Sequence, residues 1–400
     1  MKNWAFSKRF IICVSIAFVV ASLPGCKNRS GPASLPECRI GLVMPATGEM
    51  APYGAEGVIA GRIALGHARA NAKYSKPVLL EQDSGSQVTD ANAAAATLLA
   101  PPNSVNAIVG EINSADTAAM VSQARVARVP ILAPTASMID LTRMSGQVFR
   151  IWPSDAYEAT RMKDYVQSLG IKKIGVLYIQ VPYGEEMANY FAQAFKESGG
   201  QVTIEGYPVE TLDFKPLLLR MQGFDRLYIV SYIEDATLLL KRAYELSRTT
   251  GHKFQFFGTS VLDSSKLVDK AGVAANGIIF AVVQPINPGE TPERADFIRE
   301  YQNAREASRD VSLIQAAARD PGFAAFHVYD AVNLAFSACD ASAKSGAPSG
   351  DGITNYFRTM PMYMGVTGAI RFDLHGDLAT ERSVVFKEIV SGKIVPLGVR

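Results

Sequence analysis

Short apolar runs and stretches of helical periodicity alternate along the chain from residue 39 onward. Aliphatic runs bounded by turn residues predict strands over 39–43, 78–81, 107–110 and 130–133, with helix-like stretches between them over 56–72, 90–99 and 115–127. The order repeats from residue 172: strand 172–179, helix 184–198, strand 202–206, a helix near 214–221, strand 226–231, helix 235–247, and strands 254–257 and 277–283. In helix 184–198, Met187, Phe191 and Phe195 recur at i, i+4 and i+8, and Gly199-Gly200 supplies a stop. Alternation of this kind predicts an α/β fold, with parallel sheets covered by helices on both faces.

Two such units follow each other. The first runs to about residue 150, and the IWPSD stretch at 151–155 carries a proline and little periodicity, as expected of a strand passing between lobes. After Pro285 the chain becomes mainly helical over 295–308 and 321–343. Two strand-like runs follow, 369–372 and 383–390, too few for a third α/β domain. The first residues read differently. Lys2, Lys8 and Arg9 precede an apolar run over 10–20 that is too short to span a bilayer, which reads as a secretory signal. The run ends at Leu23-Pro24-Gly25-Cys26, which resembles a bacterial lipobox except that Pro24 stands where a small residue is usual; an ordinary cleavable signal is the alternative. This divides the N-terminus into a lipoprotein signal peptide, 1–25, lipidation at Cys26, and a tether, 26–37, marked by Gly31, Pro32 and Pro36. Cys13 then leaves with the signal, and only Cys38 and Cys339 remain as thiols in an oxidising compartment.

Composition narrows the function. With 40 Lys+Arg against 38 Asp+Glu, the chain has no electrostatic surplus for a phosphate backbone, so nucleic acid is not an expected partner. Removing 1–25 deletes three positive charges and no negative ones, so the formal charge of +2 becomes −1. His67, His252, His327 and His375 are scattered, and HExxH, paired CxxC, GxGxxG, GxxxxGK[ST] and GxSxG are all missing from the sequence. No metal, cofactor or enzymatic activity is therefore expected. Asp83 and Asp116 lie beside a turn or a helix start, where capping is the commoner role.

Ligands of parallel α/β sheets sit at the carboxyl ends of strands. Ser114 follows the 107–110 run and is placed as the N-cap of the next helix, whose unpaired N–H groups favour a carboxylate. Thr135 and Ser137 follow the 130–133 run; the alternative for Ser114 and Ser137 is that they only cap their own helices. Tyr53-Gly54, Tyr183-Gly184 and Tyr232 each put an aromatic residue with a polar tip where a cleft between two sheets would open.

With these residues in place, the chain resembles the type I periplasmic binding proteins, especially the branched-chain amino-acid and amide-binding branch of ABC-transporter receptors. The matching segments are IGLVMPATGEMAPYGAEG (40–57), VNAIVGEINSADTAA (105–119), VPILAPTAS (129–137), VFRIWPSDA (148–156), KKIGVLYIQVPYGEEMANYF (172–191) and GAIRFDLHGDLA (368–379). The resemblance implies two Rossmann-like lobes joined by three hinge crossings and closing over a small molecule. The first lobe would hold 38–150 and 284–380, the second 151–283 and 381–400. It implies a ligand carboxylate held at Ser114 with Thr135 and Ser137, and a cleft lined by Tyr53, Tyr183 and Tyr232. Where amino-acid binders commonly place an acid for the ligand's ammonium, this chain has Thr259-Ser260. Ser260 joins the expected ligand set, and a carboxylate, amide or small aromatic acid is expected unless Asp263 or Asp235 substitutes.

The family topology bears on the cysteines as well. Ala325, Tyr329, Val332, Phe336 and Cys339 form one helical stripe facing the first lobe's core, and Cys38 begins its first strand. Both then lie at the end remote from the cleft, as a disulfide or as two separate thiols. The implied partners are a small-molecule ligand, an ABC permease and ATPase, and a membrane reached through the lipid anchor, in the periplasm or at the cell surface. Lys27, where inner-membrane lipoproteins often carry aspartate, leaves a second reading open: an envelope lipoprotein that senses a ligand or binds a protein without transport.

Overall fold

Strands β1 (Glu37–Met44), β2 (Lys76–Asp83), β3 (Ala107–Val109), β4 (Ile131–Ala133) and β5 (Val148–Arg150) pair in parallel, in the order β2-β1-β3-β4-β5. The structure, a computed structural model, describes residues 34–285, 291–379 and 382–397; the expected signal and Cys26 lie outside the described residues. Helices α1 (Ala51–Asn71), α2 (Val88–Leu99) and α3 (Ser114–Ala127) connect the first four strands. The two-residue period of a strand decides which helices cover which face. Ile40, Leu42, Val109 and Leu132 pack with Val58 and Ile59 of α1 on one face. Val43, Ile108 and Ile131 pack with Leu98 of α2 and Met120 and Ala124 of α3 on the other. Strands covered on both sides carry unbroken apolar runs, which is why AIV and ILA were legible as strands.

The second lobe follows the same logic. Strands β6 (Lys173–Ile179), β7 (Gln201–Tyr207), β8 (Arg226–Val230), β9 (Gln255–Gly258) and β10 (Ile279–Pro285) alternate with α4 (Asp155–Ser168), α5 (Pro182–Glu197), α6 (Lys215–Arg220), α7 (Ile233–Thr250) and α8 (Ser265–Ala271). The predicted stripe of α5 is buried, with Met187, Phe191 and Phe195 packed against Ile174, Val176 and Tyr228. Truncating either phenylalanine to alanine costs about 3–5 kcal/mol at such a site. Leu177, Ile179, Leu227 and Ile229 point the other way, onto α6 and α7.

The chain then returns to the first sheet with α9 (Pro292–Ala307), α10 (Val311–Ala316), α11 (Phe323–Ala343) and α12 (Gly350–Thr359). Helix α11 runs along α1, and its Val328 and Val332 belong to the same core as Ile40 and Leu42. Cys38 and Cys339, both fully buried, are joined as a disulfide, with Cα atoms 6.0 Å apart and a sequence separation of 301. A hairpin of β11 (Tyr363–Gly365) and β12 (Gly368–Ile370) hangs on Asp330 of α11, whose carboxylate accepts the amides of Val366 and Thr367 at 2.9 and 2.7 Å. Finally β13 (Arg382–Val390) and β14 (Lys393–Pro396) complete the second sheet, in the order β14-β13-β10-β9-β8-β6-β7.

Several expectations change. The second sheet is mixed, because β13 runs antiparallel to both β10 and β14. Gln284 and Pro285, expected in the first lobe, pair with Ser383 and Arg382, since β13 offers β10 a partner along its whole length. The 151–154 stretch forms no strand: β5 ends at Arg150, and Ser154 caps α4 by accepting the Ala156 amide. Of the strand-like run at 369–372, residues 369–370 belong to the β11–β12 hairpin and Phe372 bridges Leu378, so the run joins neither large sheet.

Candidate ligand-binding site

The carboxyl ends of β3 and β4 face those of β6, β8 and β9 across a cleft. All seven residues read from the sequence, Tyr53, Ser114, Thr135, Ser137, Tyr183, Tyr232 and Ser260, line it. Two of its walls are built by one device. The first turns of α1 and α5 press against the ends of β1 and β6 so closely that a Cβ at Gly54 or Gly184 would lie 2.0 Å from the carbonyl oxygen of Pro45 or Ile179. Each glycine lets the helix start settle on the strand end, and the preceding tyrosine thereby reaches the cleft. Tyr183 stacks on Tyr232 with ring centroids 5.8 Å apart and 14° between planes, and Tyr53 packs on Phe323 at 5.3 Å.

At the β3 end the roles differ from simple capping. Asn113, not Ser114, is the N-cap of α3: its side-chain oxygen accepts the Asp116 amide at 2.8 Å, and its amide nitrogen donates to the Asp116 carboxylate at 2.7 Å. Ser114 takes the first helical position because the Asn113 side chain already fills the cap. Its Oγ accepts the amides of Ser137 and Met138 at 3.2 and 3.1 Å, which leaves the hydroxyl proton to donate into the cleft. The amides of Ser114 and Ala115, which open α3, have no intrahelical acceptor, whereas that of Asp116 is taken by the Asn113 cap. Thr135 donates its proton to the Ile112 carbonyl at 2.7 Å, so its oxygen is left to accept.

A buried guanidinium holds this wall in place. Arg150, fully buried, donates to the carbonyls of Ser137, Met138 and Ile139 and to the Asp377 carboxylate at 2.6 Å. On the outer side of the same turn, the Ile139 amide donates across the cleft to Glu186 of α5 at 2.8 Å. Arg150 thus sets the backbone that Ser114 reads and that the second lobe touches.

The sequence reading missed the acids. Asp155, the first residue of α4, is buried and lines the cleft; one carboxylate oxygen has no hydrogen-bond partner, and its amide donates to the Ser137 carbonyl at 2.9 Å. Burial pushes its pKa up to about 8, against the lowering effect of the Ser137 hydroxyl. Glu158, one turn along, accepts the amide and hydroxyl of Ser260 at 2.7 and 2.6 Å and is raised by burial to about 7. The turn after β9 therefore has its acid, contributed by α4 and separated by 102 positions. Ser260 spends its proton on it, as Tyr183 spends its own on Thr259 at 2.9 Å. Asp263 is paired with Lys387 at 2.8 Å, and Asp235 is not among the lining residues, so neither substitutes as the sequence suggested. Glu49, Glu234 and Lys266 complete the charged lining. The expectation of a ligand without a cation rested on a missing carboxylate; the cleft holds one in Asp155. Among the described residues no group of His, Cys, Asp or Glu is arranged to hold a metal, and no helix is long and apolar enough to cross a membrane.

Comparison with known proteins fits this architecture. The chain is 22% identical over 218 residues to Leu/Ile/Val-binding protein homolog 2 of Brucella abortus, covering 54% of this chain and 53% of that one, so it spans about half the length of that relative. The leucine binding protein LivK of Thermotoga maritima superposes with a TM-score of 0.76 at 23% identity, covering 90% of this chain and 97% of that one. LivJ of Streptococcus pneumoniae, solved in complex with isoleucine, gives 0.73 at 22% identity, with the same coverage. The model of the periplasmic binding protein family matches residues 37–393, nearly all of both lobes, and the chain belongs to that family.

Proposed function

We propose that this chain captures a small α-amino-acid-like solute between its lobes and delivers it to an ABC importer. The observation that carries the reading is the pairing of a donor and an acceptor around Ser137. Its amide fixes Ser114, whose proton and adjacent helix amides suit a carboxylate, and its hydroxyl holds Asp155, whose unpartnered oxygen suits an ammonium. The stacked Tyr183 and Tyr232 and the Tyr53–Phe323 pair offer apolar walls for a side chain. The relatives named for leucine, isoleucine and valine support the same class. Binding without turnover is the expected activity.

One hinge crossing in this reading is 151–154; the other two expected crossings lie outside the described residues. The N-terminus is an exported lipid anchor at Cys26, tested by acyl-chain mass spectrometry of the mature protein. The alternative, a sensing lipoprotein without transport, is favoured by Lys27 and excluded by uptake that depends on the chain. Calorimetry with leucine, isoleucine, glutamine and benzoate tests the site. Ser114→Ala and Asp155→Asn are each expected to weaken binding of the amino acids by about tenfold or more, the loss of one hydrogen bond to a charged group. Unchanged affinity in both variants overturns the assignment.

A further inference from the structure

Lys266 is the cation that the binding scheme above leaves unused. It sits in the first turn of α8, lines the cleft from the second lobe, and holds its Nζ 5.4 Å from the centre of the Tyr53 ring on the first. The nearby lysines Lys270 and Lys387 are each ion-paired, with Glu234 and Asp263 respectively. Lys266 has no carboxylate within ion-pair distance among the described residues. Glu234, which also lines the cleft, is committed to Lys270 at 2.5 and 2.7 Å. The acid on which Lys266 acts is Glu56, buried behind Tyr53 and accepting the Gly322 amide at 3.1 Å; burial raises it to about 7, so near neutral pH it carries only part of a charge. The charges acting on Asp155 are instead Glu158, Arg150 and Glu186. Lys266 therefore serves a different part of the cleft, beside Tyr53, whose ring packs on Phe323.

A half-buried ammonium facing an aromatic ring keeps part of its interaction energy but gains no counter-charge, and closing the lobes on a neutral side chain would strip its water without replacement. We propose that Lys266 binds a second carboxylate on the ligand, so that the preferred solute is a dicarboxylate carrying one acid for Ser114 and another for Lys266. The inference rests on the solute-binding reading above. It assigns Lys266 as a specificity-determining residue and Tyr53 as the face that holds it.

Calorimetry on the full mature chain and its Lys266→Met and Lys266→Arg variants tests this with matched probes: L-glutamate and L-2-aminoadipate against L-glutamine and L-leucine, and terephthalate against benzoate. The wild type is expected to bind the dicarboxylate of at least one set tenfold or more tighter than its monocarboxylate analogue. Lys266→Met should erase that ratio, and Lys266→Arg should retain most of it. Monocarboxylates binding the wild type as tightly as dicarboxylates, or a ratio unchanged in Lys266→Met, overturns the assignment while leaving the solute-binding reading intact. Failure of every probe to bind the wild type overturns both.

Discussion

Asp155 concentrates the chemistry of the site in one side chain. A carboxyl whose pKa burial raises to about 8 is largely protonated below that pH, and a ligand ammonium can pair only with the ionised form. Binding therefore lowers its pKa, and the affinity so gained is present above about pH 8 and lost as pH falls. For a free-state pKa of about 8, lowering the pH from 8 to 6 should raise the apparent Kd roughly fiftyfold, while the ligand's amino group stays protonated throughout. Asp155→Asn should flatten this dependence, which separates Asp155 from Glu158 and Glu111, also raised by burial. Folding stability is expected to follow the opposite trend. A carboxyl raised above its unfolded value favours the fold most at low pH, and that contribution fades as pH rises toward 8. Melting temperatures measured from pH 5 to 8, with and without ligand, check both signs.

At the scale of the element, helix starts do the positioning, and one helix offers a test within itself. A Cβ at Gly54, in the first turn of α1, would collide with the Pro45 carbonyl, whereas one at Gly66, exposed in the same helix, would meet nothing within 4 Å. Gly54→Ala should therefore destabilise the protein by about 1–3 kcal/mol and displace Tyr53 from the cleft. Gly66→Ala should stabilise it by about 0.5–1 kcal/mol through helix propensity and leave binding unchanged. Thermal denaturation and titration of the two variants would show effects of opposite sign. The same elements explain what was readable in the sequence. Tyr53-Gly54 and Tyr183-Gly184 carry their geometry in adjacent residues, and β3 and β4 announce themselves by unbroken apolar runs. Helix α4 did not stand out, because Asp155 and Glu158 resemble the acids usual in a first helical turn. Their partners, Ser137 and Ser260, lie on other elements, and only the packed fold brings them together. Arg150 was hidden for a related reason: its acceptors are mainly backbone carbonyls, which no side-chain pattern reveals.

At the scale of the whole molecule, contacts that span the cleft include the Ile139 amide to Glu186, the Asp155 amide to the Ser137 carbonyl, and Tyr53, which packs on the second lobe's core and faces Lys266. Contacts of this kind are lost and remade when lobes hinge, so a ligand that touches both walls selects the closed arrangement. The Cys38–Cys339 bond lies within the first lobe's core, where β1 and α11 pack together. On the chain-entropy model, closing a loop of this length is worth about 6 kcal/mol at most. Reductant or Cys339→Ser should lower the melting temperature without changing ligand affinity, and alkylation before and after reduction should differ by two thiols. An equal alkylation count would remove the bond from the description.

That bond also makes a covalent ring of residues 38 to 339, which runs out through most of the second lobe and back. A protease that cuts the ring once, even in a hinge, leaves its two fragments joined as one molecule, with both walls of the cleft still attached. The segment beyond residue 339 has no such insurance. It carries Asp377, which anchors Arg150, and β13, which pairs along β10. The exposed turn around Lys344 and Ser345 is thus where a single nick would count most, releasing to non-covalent hold the strand and the carboxylate that keep the two halves in register.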